Sequence, residues 1–179
     1  MFKKLALGIV AILIIGGGAL FAINGKDHYD ATKYGAKVSN GLNVGSEVSF
    51  VLPDQFDKSH TVGKDAKILI LSFAKSTGHM IKGFLSKQPK DYLPSRHAFF
   101  IADISPMPTV IRNTFALPDL RKSPYSVLLI YDENIASQIK NDKEADKIAI
   151  ATLDNGVITN VKYILTEKEL EASLNISSK

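Results

Sequence analysis

No cysteine occurs anywhere in the 179-residue sequence. Disulfides, thiolate catalysis, Cys-ligated zinc, iron–sulfur clusters and a lipid anchor on cysteine are therefore excluded. Outside the cytoplasm, such a chain depends on its core alone for stability. A concentrated basic face is missing as well. The net charge is +4, but Lys3 and Lys4 belong to a separate N-terminal segment; the 22 basic residues less these two leave 20 against 18 acids, or +2. The remaining basic residues are interspersed with acids, and phosphate recognition needs them clustered, so no nucleic-acid partner is expected. The histidines, His28, His60, His79 and His97, show no H-x-x-H or H-x3-H spacing, so no metal site is expected. No G-x-G-x-x-G follows a strand, and no cofactor is expected. Internal repeats and low-complexity tracts are also lacking.

What is present suits one domain with a real core, at 45% hydrophobic and 22% charged residues. Lys3 and Lys4 precede the uncharged run LALGIVAILIIGGGALFAI, residues 5–23, whose next charges are Lys26 and Asp27. At helical rise it spans about 28 Å, close to the hydrocarbon thickness of a bilayer, and it has no polar face. The basic flank places the N-terminus in the cytoplasm and the rest outside. Two readings stand: an uncleaved anchor, or a signal cleaved near Ala22, where Leu20 is a poor partner for the cleaving enzyme. Length favours the anchor. The expected location is a bacterial inner membrane, single-pass, with a periplasmic C-terminal domain, or the periplasm itself after cleavage. The organisation follows as 1–23 membrane anchor or signal segment, 24–44 polar tether, 45–175 folded domain and 176–179 tail.

Within the domain, EVSFVL (Glu47–Leu52) alternates and predicts a strand, and a turn with a second short strand follows. AKILILSFA (Ala66–Ala74), HAFFIADIS (His97–Ser105) and YSVLLIYDE (Tyr125–Glu133) predict strands buried on both faces. Between them, Ser76–Gln88 has helical spacing, with Ser76 or Thr77 as a cap and Pro89 as a stop. TVIRNTFAL predicts a short helix begun by Pro108 and ended by Pro118. KIAIATL and VITNVKYI flank Asp154-Asn155-Gly156, a hairpin signal, and Thr166 with Glu169 has capping-box spacing for a last helix. The order describes an α/β sandwich with a mixed sheet.

KILILSFAKSTGHMIKGFL, SPYSVLLIYDENIA and the closing hairpin and helix resemble the thioredoxin-like superfamily in its peroxiredoxin-like form, over about residues 45–175. The resemblance implies that the Ala66–Ala74 and His97–Ser105 strands are parallel neighbours. It further implies that Tyr125–Glu133 runs antiparallel to them and pairs with Lys147–Leu153. Pro124 then takes the place of the family's cis-proline, close to Ser76. The implied core includes Ile68, Ile70, Phe73, Phe99, Ile101, Leu128 and Ile130. The family places cysteines where this chain has SFAKSTGHM, and neither hydroxyl nor imidazole performs thiol–disulfide exchange. FIADISPMPTVIRNTFALPDL is also similar to stretches of exported bacterial proteins, some labelled flavin-containing dehydrogenases, a label to which no motif of this chain answers.

Candidate sites each have a plain alternative. Ser76, Thr77 and His79 at a helix start suit a small anion, a peptide carboxylate or a Ser–His nucleophile pair, or merely cap the helix. Asp103 ends a buried strand, where sheets bind ligands, or it caps the next turn. Pro124 marks a peptide groove or rigid punctuation. The leading expectation is a non-redox, membrane-anchored module that binds a protein or peptide. An enzyme of another class and a structural component of an envelope complex are the alternatives.

Overall fold

A computed structural model describes residues 25–27 and 29–175. The apolar segment 5–23, His28 and the tail from 176 lie outside the described residues. Among the described residues, no helix is long and apolar enough to cross a membrane.

Five strands form the main sheet: β4 (Ile68–Ser72), β5 (Ala98–Asp103), β6 (Val127–Ile130), β7 (Ile148–Asp154) and β8 (Val157–Ile164), in the order β6-β5-β4-β7-β8. β4, β5 and β6 are parallel, while β7 and β8 run antiparallel to their neighbours. A second, antiparallel sheet holds β1 (Gly35–Val38), β2 (Val48–Pro53) and β3 (Ser59–Val62) in the order β1-β2-β3. Bridges from Glu47 to Val157 and from Asp54 to Leu128 tie the β2 strand across the main sheet, from its β8 edge to its β6 edge.

Alternate residues of each main strand serve two cores. Ile68, Ile70, Phe100, Val127, Leu129 and Ile150 face the helices α1 (Lys75–Leu85) and α5 (Glu167–Asn175). Leu69, Leu71, Ile101, Leu128, Ile130 and Ala149 face the smaller sheet and α4 (Glu133–Ser137). The apolar runs of the sequence thus mean burial on both faces, as parallel strands require. Of the expected core, Phe73 and Phe99 are only half-buried, and the other five positions are buried.

α1 starts without the side-chain cap expected of Ser76 or Thr77; its cap position is Ala74. A missing cap costs about 1 kcal/mol, whereas each large apolar residue buried contributes about 1.5–3 kcal/mol. Ile81, Phe84 and Leu85 are buried, so packing outweighs the cap. α5 has its capping box: Thr166 Oγ1 accepts from the Glu169 amide, and the Glu169 carboxylate accepts from the Thr166 amide. Asn155 and Gly156 both take positive φ, at 49° and 81°, and close the β7–β8 hairpin.

Three expectations fail here. Tyr125–Glu133 does not run antiparallel: β6 is parallel to β5 on the far edge, and β7 pairs with β4 instead. The reason is the intervening helical run, because a crossover over the sheet returns the chain in the same direction. That run is α2 (Thr109–Ile111), a π turn (Arg112–Ala116) and α3 (Leu117–Leu120). Pro118 does not end it, since Pro118 lies in the first turn after the π segment, where a missing N–H is tolerated. Finally, residues 24–44 are not all tether: Gly35–Val38 pairs with β2, and Tyr29 stacks between Tyr34 and Tyr131.

Candidate functional site

The parallel strands give the sheet two distinct ends. At their C-terminal end lies the β4–α1 corner. Ser76 and His79 are exposed there, whereas Thr77 is buried. The Thr77 hydroxyl donates to the Ala74 carbonyl at 2.8 Å and lies 2.8 Å from the Ser72 hydroxyl. It is thus consumed internally. Asp103 is at the same end, but its Oδ1 accepts from the Ser105 amide at 3.0 Å and hydroxyl at 2.7 Å, which makes it a turn cap.

Pro124 does not join this group. Its peptide is trans, as are all those among the described residues. The register sets Leu129 level with Ala102 and Ser72, so Pro124 lies about five residues, or roughly 16 Å, before that row. Ser76, Thr77, His79 and Asp103 share one end of the sheet, and Pro124 marks the other.

That other end contains a cleft of about 420 Å³. Leu93, Pro94, Phe99 and Pro124 give it apolar walls, and Lys90, His60 and His97 bring basic groups to it. The β2–β3 turn builds one side. The Gln55 amide donates to the Tyr125 carbonyl and accepts from the Val127 amide, both at 2.8 Å, which locks the turn onto β6. The buried Asp54 then accepts from His60 Nε2 at 2.8 Å and from the Phe56 and Lys58 amides at 2.8 and 3.1 Å. Burial pushes the Asp54 carboxyl up, but these hydrogen bonds outweigh it and hold the group below its ordinary range. With Nε2–H pointed at Asp54, neutral His60 keeps Nδ1 as an acceptor.

No family model matches the chain, and no curated protein matches it in sequence. Solved structures do. A hypothetical protein from Sinorhizobium meliloti 1021 aligns at TM-score 0.50 and 18% identity, over 78% of this chain and 86% of that one. A peroxiredoxin-like protein from Aquifex aeolicus aligns at TM-score 0.50 and 11% identity, over 79% and 92%. The fold is thioredoxin-like.

At these identities the likeness is one of fold alone. The thioredoxin-like scaffold here holds no thiol at its β4–α1 corner, where Ser72, Ser76 and Thr77 stand. Among the described residues, no group of three or more His, Asp or Glu could hold a metal ion. Of the residues that line the cleft, Lys90 is not singled out by the sequence, and His60 and His97 are weighed there only as metal ligands. Asp54, which holds His60, is not singled out either. The available signal was local: Asp54 and His60 flank a hairpin turn, and such a turn brings its flanks together.

Proposed function

We propose that this chain is a non-redox thioredoxin-like module, held at the outer face of a bacterial inner membrane by residues 5–23, which binds a peptide segment of a protein partner in the cleft beside Pro124. The observation that carries the reading is the cleft itself, with apolar walls and basic groups and placed at the end of the sheet away from the corner. Thiol exchange requires a thiolate, and the chain has none. The corner is the poorer receptor, because Thr77 is buried and spent on the backbone and Ser76 stands exposed. A cleft of this size suits one or two side chains of a peptide rather than a whole protein surface. Its basic groups favour an apolar residue with an acid beside it.

The Asp54–His60 pair favours a second reading, an enzyme in which His60 Nδ1 takes a proton from a substrate in the same cleft. Among the described residues the one hydrogen bond of the His60 ring goes to Asp54 and none to a hydroxyl, which leaves binding as the better account.

The test is capture from detergent-solubilised membranes with full-length protein. Ser126 is exposed and lines the cleft, and its hydroxyl makes only a long 3.5 Å bond to Asp54, so Ser126→Trp fills the cleft and leaves both cores in place. We expect a discrete partner with the wild type and at least about tenfold weaker capture with the variant, at an unchanged melting temperature. Equal capture by both would show that the cleft is not the receptor.

A further inference from the structure

We infer that the exposed side chains Ile111 and Phe115 form a face that rests on the lipid surface, with the domain held in that pose by a clamp between Asp27 and Arg112. The inference rests on the reading of residues 5–23 as the membrane anchor.

Arg112 is 3% exposed, and its Nη2 donates to the Asp27 carboxylate at 2.7 Å. Its guanidinium also lies 4.7 Å from the centre of the Tyr131 ring. The next residue adds a second tie, as Asn113 Nδ2 donates to the Lys26 carbonyl at 2.9 Å. Tyr29 then stacks on Tyr131 with ring centres 4.9 Å apart. Lys26, Asp27 and Tyr29, which follow the apolar run, are therefore fixed on the domain by a hydrogen bond, an ion pair and a ring stack.

This fixes a distance to the bilayer. The apolar run ends at Ile23, and extended chain from there to Asp27 reaches at most about 14 Å. The headgroup layer takes up roughly 5–8 Å of that on each side of the hydrocarbon. Arg112 must then lie just above the headgroups. Its chain neighbours Ile111 and Phe115, four residues apart on the same helical run, are 46% and 64% exposed. Two large apolar side chains facing water beside a membrane tether are matched by the apolar boundary of the lipid. Phe115 is among the most exposed large apolar residues described. Arg112 stacks on Tyr131, just past the C-terminal end of β6, so the clamp lies at the sheet end away from the cleft. Docked this way, the domain keeps the cleft open to a partner.

The chain contains no tryptophan, so Phe115→Trp creates a single reporter. Full-length protein would be reconstituted in vesicles of phosphatidylethanolamine and phosphatidylglycerol with bromine on the acyl chains. Val44→Trp is the comparison, exposed at 66% and joined to the start of β8 through the Gly45–Ile158 hydrogen bond, at the opposite end of the sheet. We expect the indole of Phe115→Trp to emit at shorter wavelength and to be quenched at least roughly threefold more than that of Val44→Trp. Adding Asp27→Asn, which removes the ion pair, is expected to reduce that quenching. Vesicle-bound Phe115→Trp protein quenched no more than the Val44→Trp protein overturns the docking face and leaves the anchor standing. Quenching unchanged by Asp27→Asn overturns the clamp. Protein that fails to float with the vesicles overturns the anchor reading, and the docking inference with it.

Discussion

Replacing Ile70 by aspartate is expected to leave the domain unfolded without any denaturant. Ile70 is fully buried on β4, the central strand, level with Phe100 on one side and Ile150 on the other. Losing its side chain alone costs about 2–5 kcal/mol, by the measure of large-to-small core changes. The aspartate adds the desolvation of a carboxyl that has no donor among Ile68, Ile81, Phe100 and Leu129, again several kcal/mol. Together these reach into the roughly 5–15 kcal/mol by which domains are stable. Leu128→Asp is expected to do the same from the other core, where Leu128 also bridges to Asp54. Ile70→Val, by contrast, is expected to cost only about 1 kcal/mol. Circular dichroism with urea titration separates these outcomes. A cooperative transition retained by Ile70→Asp would mean that β4 is not the centre of the sheet.

Asp54→Ala is expected to destabilise the domain by on the order of 3 kcal/mol. It strips the acceptor from two amides and from His60, and it empties a buried position that orders the β2–β3 turn. For a chain of this size the melting temperature falls by roughly 6–12 °C. The carboxylate also carries a pH dependence whose sign follows from its lowered pKa. A depressed pKa means that the charged form is favoured by folding. This stability is present above the ordinary carboxylate value, near 3.8 for Asp, and is lost as pH falls through the lower folded value. Wild-type protein should therefore lose more stability below about pH 4 than Asp54→Asn does. Parallel losses in both would show that the hydrogen bonds to Asp54 do not favour its charge. Asp119 and Glu169 are also held low, by Lys82 and by Thr166 respectively, but both proteins share them.

How much of this was legible in the sequence depends on what each residue signals locally. The apolar runs of β4 and β5, the Asn155-Gly156 turn and the Thr166–Glu169 box each follow from a few adjacent residues, and each is where the pattern puts it. The partner of β6 is a different kind of fact. VLLI says that the strand is buried on both faces and nothing about its neighbours, whereas the helical run before it demanded a parallel return. GAKV in β1 escapes notice because four residues among polar ones show no period. The candidate site was less legible still. Thr77 looks like a free hydroxyl in the sequence, yet burial turns it onto Ala74. Pro124 belongs to the cleft, but through the N-terminal end of a parallel strand rather than through a cis bond beside Ser76. His60 looks like an isolated histidine until the turn folds Asp54 against it.

On the proposed reading, this cysteine-less module receives its partner at the cleft and not at the β4–α1 corner. A photo-crosslinking amino acid placed at Ser126, and separately at Ser76, tests it in intact membranes. Both side chains are exposed, so neither replacement enters a core. We expect one discrete higher-mass adduct on irradiation of the Ser126 protein and none from the Ser76 protein. An adduct from Ser76 alone, or from neither position, would contradict it.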